Sequence, residues 1–72
     1  MTNTKPALLD AVALLTDQAD LGLIQGQVGT VVELFEGDYA LVEFCDGDGV
    51  AFAVPTLPLS ALLRLAYEQV AA

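Results

Sequence analysis

Apolar residues alternate with small or polar ones along most of the chain, and the period changes only near the C-terminus. Residues 8–15 are a short apolar run bounded by turn residues. Its length favours a strand over a helix, with Asp10, Val12 and Leu14 on one side. Residues 16–26 carry Asp17, Asp20, Gly22 and Gly26 and read as a loop, although its Leu21, Leu23 and Ile24 need cover. Residues 26–35 are a β-branched strand, and Gly29 inside it predicts a bulge or a sharp coil of the sheet. Glu36-Gly37-Asp38 is a tight turn. Residues 39–44 alternate, with Val42 and Phe44 on one face and Glu43 on the other. Asp46-Gly47-Asp48-Gly49 holds two Asp-Gly pairs, a strong hairpin signal, and residues 50–54 alternate large with small until Pro55. Three strands joined by two tight turns make a meander.

The last third supports two readings. Leu59, Leu62, Leu63, Ala66 and Val70 repeat at helical spacing behind Pro58, a good first-turn residue. The other reading makes Leu59-Ser60-Ala61 a single 3₁₀ turn and residues 62–65 a last strand. Five short strands, the first returning to pair with the last, would then close a barrel with no long exposed edge. Its expected interior is Val12, Leu14, Val28, Val32, Leu34, Val42, Phe44, Phe52, Val54, Leu57, Leu62 and Leu65. Residues 1–72 are one domain, with 1–6 and 67–72 expected as loose ends.

Composition narrows the function. The 72 residues are 56% hydrophobic and only 17% charged, which excludes disorder. Ten carboxylates face Lys5 and Arg64 alone, a net charge of −8, so a basic nucleic-acid surface or binding to an anionic membrane is not expected. The one cysteine, Cys45, allows no internal disulfide. The longest uncharged stretch, residues 49–63, contains Pro55 and Pro58 and falls short of the roughly 18 apolar residues of a membrane span. One Lys precedes the first apolar run, but Asp10 interrupts that run and no small-residue cleavage site follows. A cytoplasmic location is expected.

Candidate chemistry is sparse. The 46–49 loop resembles the start of a calcium loop, but it lacks the distant Glu and runs into a strand, so a hairpin turn explains it without a metal. Cys45 sits among Glu43, Asp46 and Asp48, the opposite of the electropositive setting that activates a thiol. Ser60 has no His to activate it, because the chain contains none. Gly22, Gly26 and Gly29 lead into a strand, whereas a dinucleotide fingerprint leads from a strand into a helix. No catalytic, metal or cofactor residue is assigned, and an enzyme is not expected.

Several blocks carry a resemblance. Residues 9–14 (Leu-Asp-x-Val-Ala-Leu), 22–33 (Gly-Leu-x-x-Gly-Gln-Val-Gly-Thr-Val-Val-Glu), 39–46 (Tyr-x-x-Val-Glu-Phe-x-Asp) and 56–62 (Thr-Leu-Pro-x-x-x-Leu) are similar to domain-of-unknown-function family 4926, short bacterial proteins. The resemblance implies an SH3-like barrel of five strands with a short 3₁₀ turn before the last, which favours strand over helix after Thr56. Gly26 and Gly29 also resemble the paired glycines of KOW-type turns in basic SH3-like barrels, whose RNA binding this acidic chain does not share. The resemblance brings no catalytic residue.

The feature that stands out is apolar surplus: more large side chains than so small a barrel can enclose. The expected function is therefore a non-enzymatic protein–protein interaction module, either a homo-oligomer or the small subunit of a two-protein complex. Its expected partner-facing residues are Leu21, Leu23 and Ile24 in the loop and Leu41 and Val50 on an outward strand face. The alternative is an acidic, antitoxin-like neutraliser of a basic protein, acting through Asp17, Asp20, Glu36, Asp38, Asp46 and Asp48.

Overall fold

The alternating segments form strands in the computed structural model, which describes residues 5–65. They are β1 (Ala11–Leu14), β2 (Val28–Phe35), β3 (Tyr39–Cys45), β4 (Ala51–Ala53), β5 (Thr56–Pro58) and β6 (Leu62–Leu65). All pairings are antiparallel, in the order β4-β3-β2-β1-β6, and β5 also pairs with β3. The fold is all-β, as expected. The closed five-stranded barrel is not what forms: among the described residues there are six strands in a sheet that does not close. The sixth arises at Pro55, which has no N–H to donate and interrupts the run after β3. β5 covers Tyr39–Leu41 and β4 covers Phe44 and Cys45, while the Pro55 carbonyl accepts from Val42 N–H at 3.0 Å between them.

The ambiguous C-terminal segment is a 3₁₀ turn (Leu59–Ala61) followed by β6, which pairs along the whole of β1. The helical spacing is overridden because β1 needs a second partner, and tertiary pairing outweighs local propensity in so short a segment. Ala66 and Val70, which extended the helical pattern, lie outside the described residues, as do residues 1–4 and 67–72 of the expected loose ends. Of the expected N-terminal loose end, Pro6 is buried and exposed Lys5 places its Nζ 3.2 Å from Asp38 Oδ1.

The buried core is Val12, Leu14, Leu23, Val31, Ala40, Val42, Phe44, Leu57 and Leu62, with Ala53 and Leu59 packed against it. Four expected interior residues, Val28, Leu34, Phe52 and Val54, are exposed instead, and two expected outside, Leu23 and Val31, are buried. The phase of β2 accounts for Val28 and Val31. Gly29 stands opposite inward Val12, and Val31 opposite inward Val42, which turns Val28 outward. The bulge falls not at Gly29 but at Val32, where the register steps from Val31–Val42 to Glu33–Leu41. Leu34 is exposed although it stands opposite buried Ala40. In β4, the small Ala53 stands opposite fully buried Phe44, and Phe52 is the extra residue of a register shift.

Gly29 is required by close approach, not by φ. A Cβ there would lie 2.8 Å from Val42 Cγ1, 2.9 Å from the Glu43 carbonyl oxygen and 2.9 Å from Phe44 Cδ1. Two of those three neighbours are core side chains and one is sheet backbone, so none can move freely.

At the start of β1, Asp10 ties three segments together. Its Oδ2 accepts from Ala7 N–H at 2.8 Å and from Arg64 Nε of β6 at 2.8 Å, while its own N–H donates to the Ala7 carbonyl at 3.0 Å. The Ala7 amide, and then the Arg64 guanidinium, hold the Asp10 carboxyl below its ordinary value of 3.8.

Two predictions follow from this framework. Gly29→Ala lowers stability by about 1–3 kcal/mol through overpacking, read as a lower urea midpoint with unchanged slope. Because the folded-state pKa of Asp10 is depressed, its contribution is present above the unfolded carboxyl's pKa and is lost as pH falls through the folded value. Asp10→Asn therefore lowers Tm at neutral pH and flattens the fall in Tm below pH 3.8. A variant whose acid limb matches the wild type overturns this role.

Candidate interaction surface

Among the described residues, thirteen large hydrophobic side chains are exposed, against nine buried apolar residues. They lie in several places, and strand register shows which of them share a face. Ala13 stands between Leu63 of β6 and Val28 of β2, and Ala11 stands between Leu65 and Thr30. Val12, Leu14, Gly29 and Leu62 occupy the alternate positions and are buried, so these six residues form the outer face of β6-β1-β2. Leu63 is 51% exposed and Val28 is 50% exposed, while the two alanines are half-buried between them. The result is an alanine-floored trough between two ridges, about 10 Å apart at twice the strand spacing. No charged side chain lies in it. The outward face of an antiparallel sheet ordinarily alternates to polar residues, and here Thr30 is the one polar residue of the six.

The trough ends on β3 at an acidic margin. Glu43 pairs with Thr30 on the outer face, and Cys45 follows two residues on, exposed. Partial desolvation, and then the carboxylates of Glu43 and Asp46, raise the Cys45 thiol above its ordinary range. This is the direction expected from its acidic neighbours, and the opposite of an activated nucleophile.

The five expected partner-facing residues divide. Leu23 is fully buried and cannot face a partner. Residues 16–26 fold over the core as a small hairpin around a 3₁₀ turn (Ala19–Leu21), in which Gln18 and Leu23 exchange backbone hydrogen bonds of 2.9 and 3.1 Å. Gly22, at φ 72°, makes the reversal that turns Leu23 inward, and Asp17 Oδ1 fastens the loop by accepting from Gln25 N–H at 2.7 Å. Leu21 and Ile24 stay outside in this loop, with Ile24 65% exposed. Leu41 is half-buried on the outward side of β3, and Val50 is exposed in the β3–β4 connection. Sequence reasoning missed the outer-face residues Leu63, Val28, Ala11 and Ala13. The Ala-Val-Ala-Leu alternation of β1 was the available signal, since its small members needed a face of their own.

The acidic loop residues are separated and partly committed. Asp38 holds Lys5, and Asp46 Oδ1 accepts from Asp48 N–H at 2.9 Å and Val50 N–H at 3.0 Å, building the turn that the Asp-Gly pairs predicted. Among the described residues no group of three or more His, Cys, Asp or Glu side chains is arranged to hold a metal ion. Ser60 is exposed in the second 3₁₀ turn.

A further exposed pair, Leu8 and Leu9, sits on the turn of residues 7–10. Leu9 has a φ of 70°, the left-handed position that glycine or asparagine ordinarily takes, and its side chain is 72% exposed. Leu9→Gly relieves that strain while removing little packing, so it stabilises the isolated chain by about 1 kcal/mol, read as a higher urea midpoint. A fall in midpoint would show that the Leu9 side chain contributes to folding.

No curated protein and no solved structure matches the chain. A family model does match, over residues 8–64, from the turn at Leu8 and Leu9 to Arg64 of β6. That span holds all six strands apart from the last residue of β6, and the chain therefore belongs to the family described as a domain of unknown function, DUF4926.

Proposed function

We propose that this chain is a non-enzymatic protein–protein interaction module, an SH3-like, partly open barrel that covers apolar surface against another polypeptide, in a homo-oligomer or as the small subunit of a two-protein complex. The SH3-like reading is supported by the meander of β2, β3 and β4, the 3₁₀ turn before the last strand, and the return of that strand to the first. Its setting is the bacterial cytoplasm, where a lone exposed thiol such as Cys45 stays reduced. Among the described residues, no helix is long and apolar enough to cross a membrane.

One observation carries the functional reading: exposed large hydrophobics outnumber the buried apolar core. Scattered leucines are ordinary on any surface. Exposed Leu63 and Val28, flanking Ala13 across paired strands with no charge between them, support a surface that is covered in use.

The test is native mass spectrometry of the tagged chain from gently lysed source cells, with apolar-dye binding measured in parallel. The expected species contains a second polypeptide, identical or different, and binds little dye. A lone 7.5 kDa chain at every dilution, with no dye bound, refutes the reading.

A further inference from the structure

We propose that the open edge of β6 pairs antiparallel with the same edge of a second copy, about a two-fold axis at Leu63. This rests on the interaction-module reading and names its homo-oligomeric form. Because the sheet does not close, β4 and β6 stand at its two ends. The β4 end is blunted: three residues with a register shift, followed by Pro55 and by Pro58 in β5. β6 contains no proline, glycine or bulge, and among the described residues it pairs with β1 alone.

Hydrogen-bond parity shows which main-chain groups face that edge. Leu15 N–H donates to the Ala61 carbonyl at 2.9 Å, so Leu63 and Leu65, in step with Ala61, aim their main-chain groups at β1. Those of Leu62 and Arg64 point the other way. Leu62 N–H turns back to the Leu59 carbonyl. Among the described residues, the Leu62 carbonyl and both Arg64 groups are then left on the open edge. Acceptor and donor flank Leu63, so a copy turned about that residue sets each Arg64 N–H against the other copy's Leu62 carbonyl. Exposed Leu63 then lies directly opposite its counterpart, in the closer of the two antiparallel pair types.

Charge agrees with this register. Arg64 is the one charged residue in β1 and β6, and Asp10 Oδ2 neutralises it at 2.8 Å. The pairing sets Arg64 opposite Leu62, whereas a slip of two residues would set the two arginines face to face. The net charge of −8 on each copy opposes association only at long range, so added salt strengthens the pair. So short a strip makes a concentration-dependent dimer, not a permanent one.

The experiment follows mass by light scattering and Arg64 amide exchange by NMR across one dilution series. Mass is expected to double and Arg64 exchange to slow together as concentration rises, with the transition moving to lower concentration in higher salt. Two variants each weaken the dimer at least about tenfold. Leu63→Lys sets like charges face to face. N-methylation of the Arg64 amide, introduced by joining synthetic residues 45–72 at Cys45, removes both shared hydrogen bonds and leaves the β1 ladder intact. Phe52→Lys, on β4, leaves the dimer unchanged, and far-UV circular dichroism checks that each variant is folded. A monomer at every concentration overturns the proposal. So does a dimer whose Arg64 exchange is independent of concentration, or one that N-methylation leaves intact. In any of these cases a second polypeptide in the native species keeps the interaction-module reading, whereas a lone chain removes both.

Discussion

Phe44 lies over a residue that has no side chain. Its Cδ1 would come within 2.9 Å of a Cβ at position 29, so β2 can cross β1 and β3 only where residue 29 is glycine. That close approach sets the phase of β2. With Gly29 inward against Val12, Val31 fills the next inward position and Val28 and Thr30 turn out. It also sets what stands across β3, where the fully buried ring of Phe44 leaves room opposite for Ala53 alone. Phe52 and Val54 are then left outside a core that their size alone would have suited.

Much of this was legible in the sequence and part was not, for reasons that trace to particular residues. The strands and their turns follow from alternation and from Asp-Gly chemistry, which act within a few residues of one another. The pairing of β1 with the last strand is a long-range event, and the leucine spacing after Pro58 pointed equally to a helix. The faces of β2 and β4 differ from expectation because the size of a side chain does not by itself decide which residues point inward. Gly29 and Ala53 show the opposite: the inward positions there belong to the smallest residues, since Phe44 already fills the space. Leu23 was misplaced because a loop residue owes its burial to the reversal at Gly22, which no periodicity records.

The surface was legible in amount but not in place. Composition predicts more apolar side chains than the core can hold, and the structure leaves thirteen large ones exposed. Periodicity cannot say which form one continuous face, because that depends on register across three strands. Ala13 makes the point: it lies between Leu63 and Val28 only because strands fifty and fifteen residues further along the chain pair on either side of it.

The chain's two positive charges act as fasteners. Lys5 holds the N-terminal segment to the β2–β3 turn, and Arg64 holds β6 to the turn before β1. Exposed pairs of this kind add little to stability, but each joins segments far apart in sequence, which a core of nine residues does only in part. Both cations are paired with carboxylates of the chain itself, and the remaining carboxylates leave the surface acidic. Most of the described carboxylates stand in loops and turns, with only Glu33 and Glu43 in strands, so the outer face of β6, β1 and β2 carries no carboxylate of its own. A net charge carried by loops and turns favours solubility of so apolar a chain without placing a carboxylate among the outward side chains of those three strands.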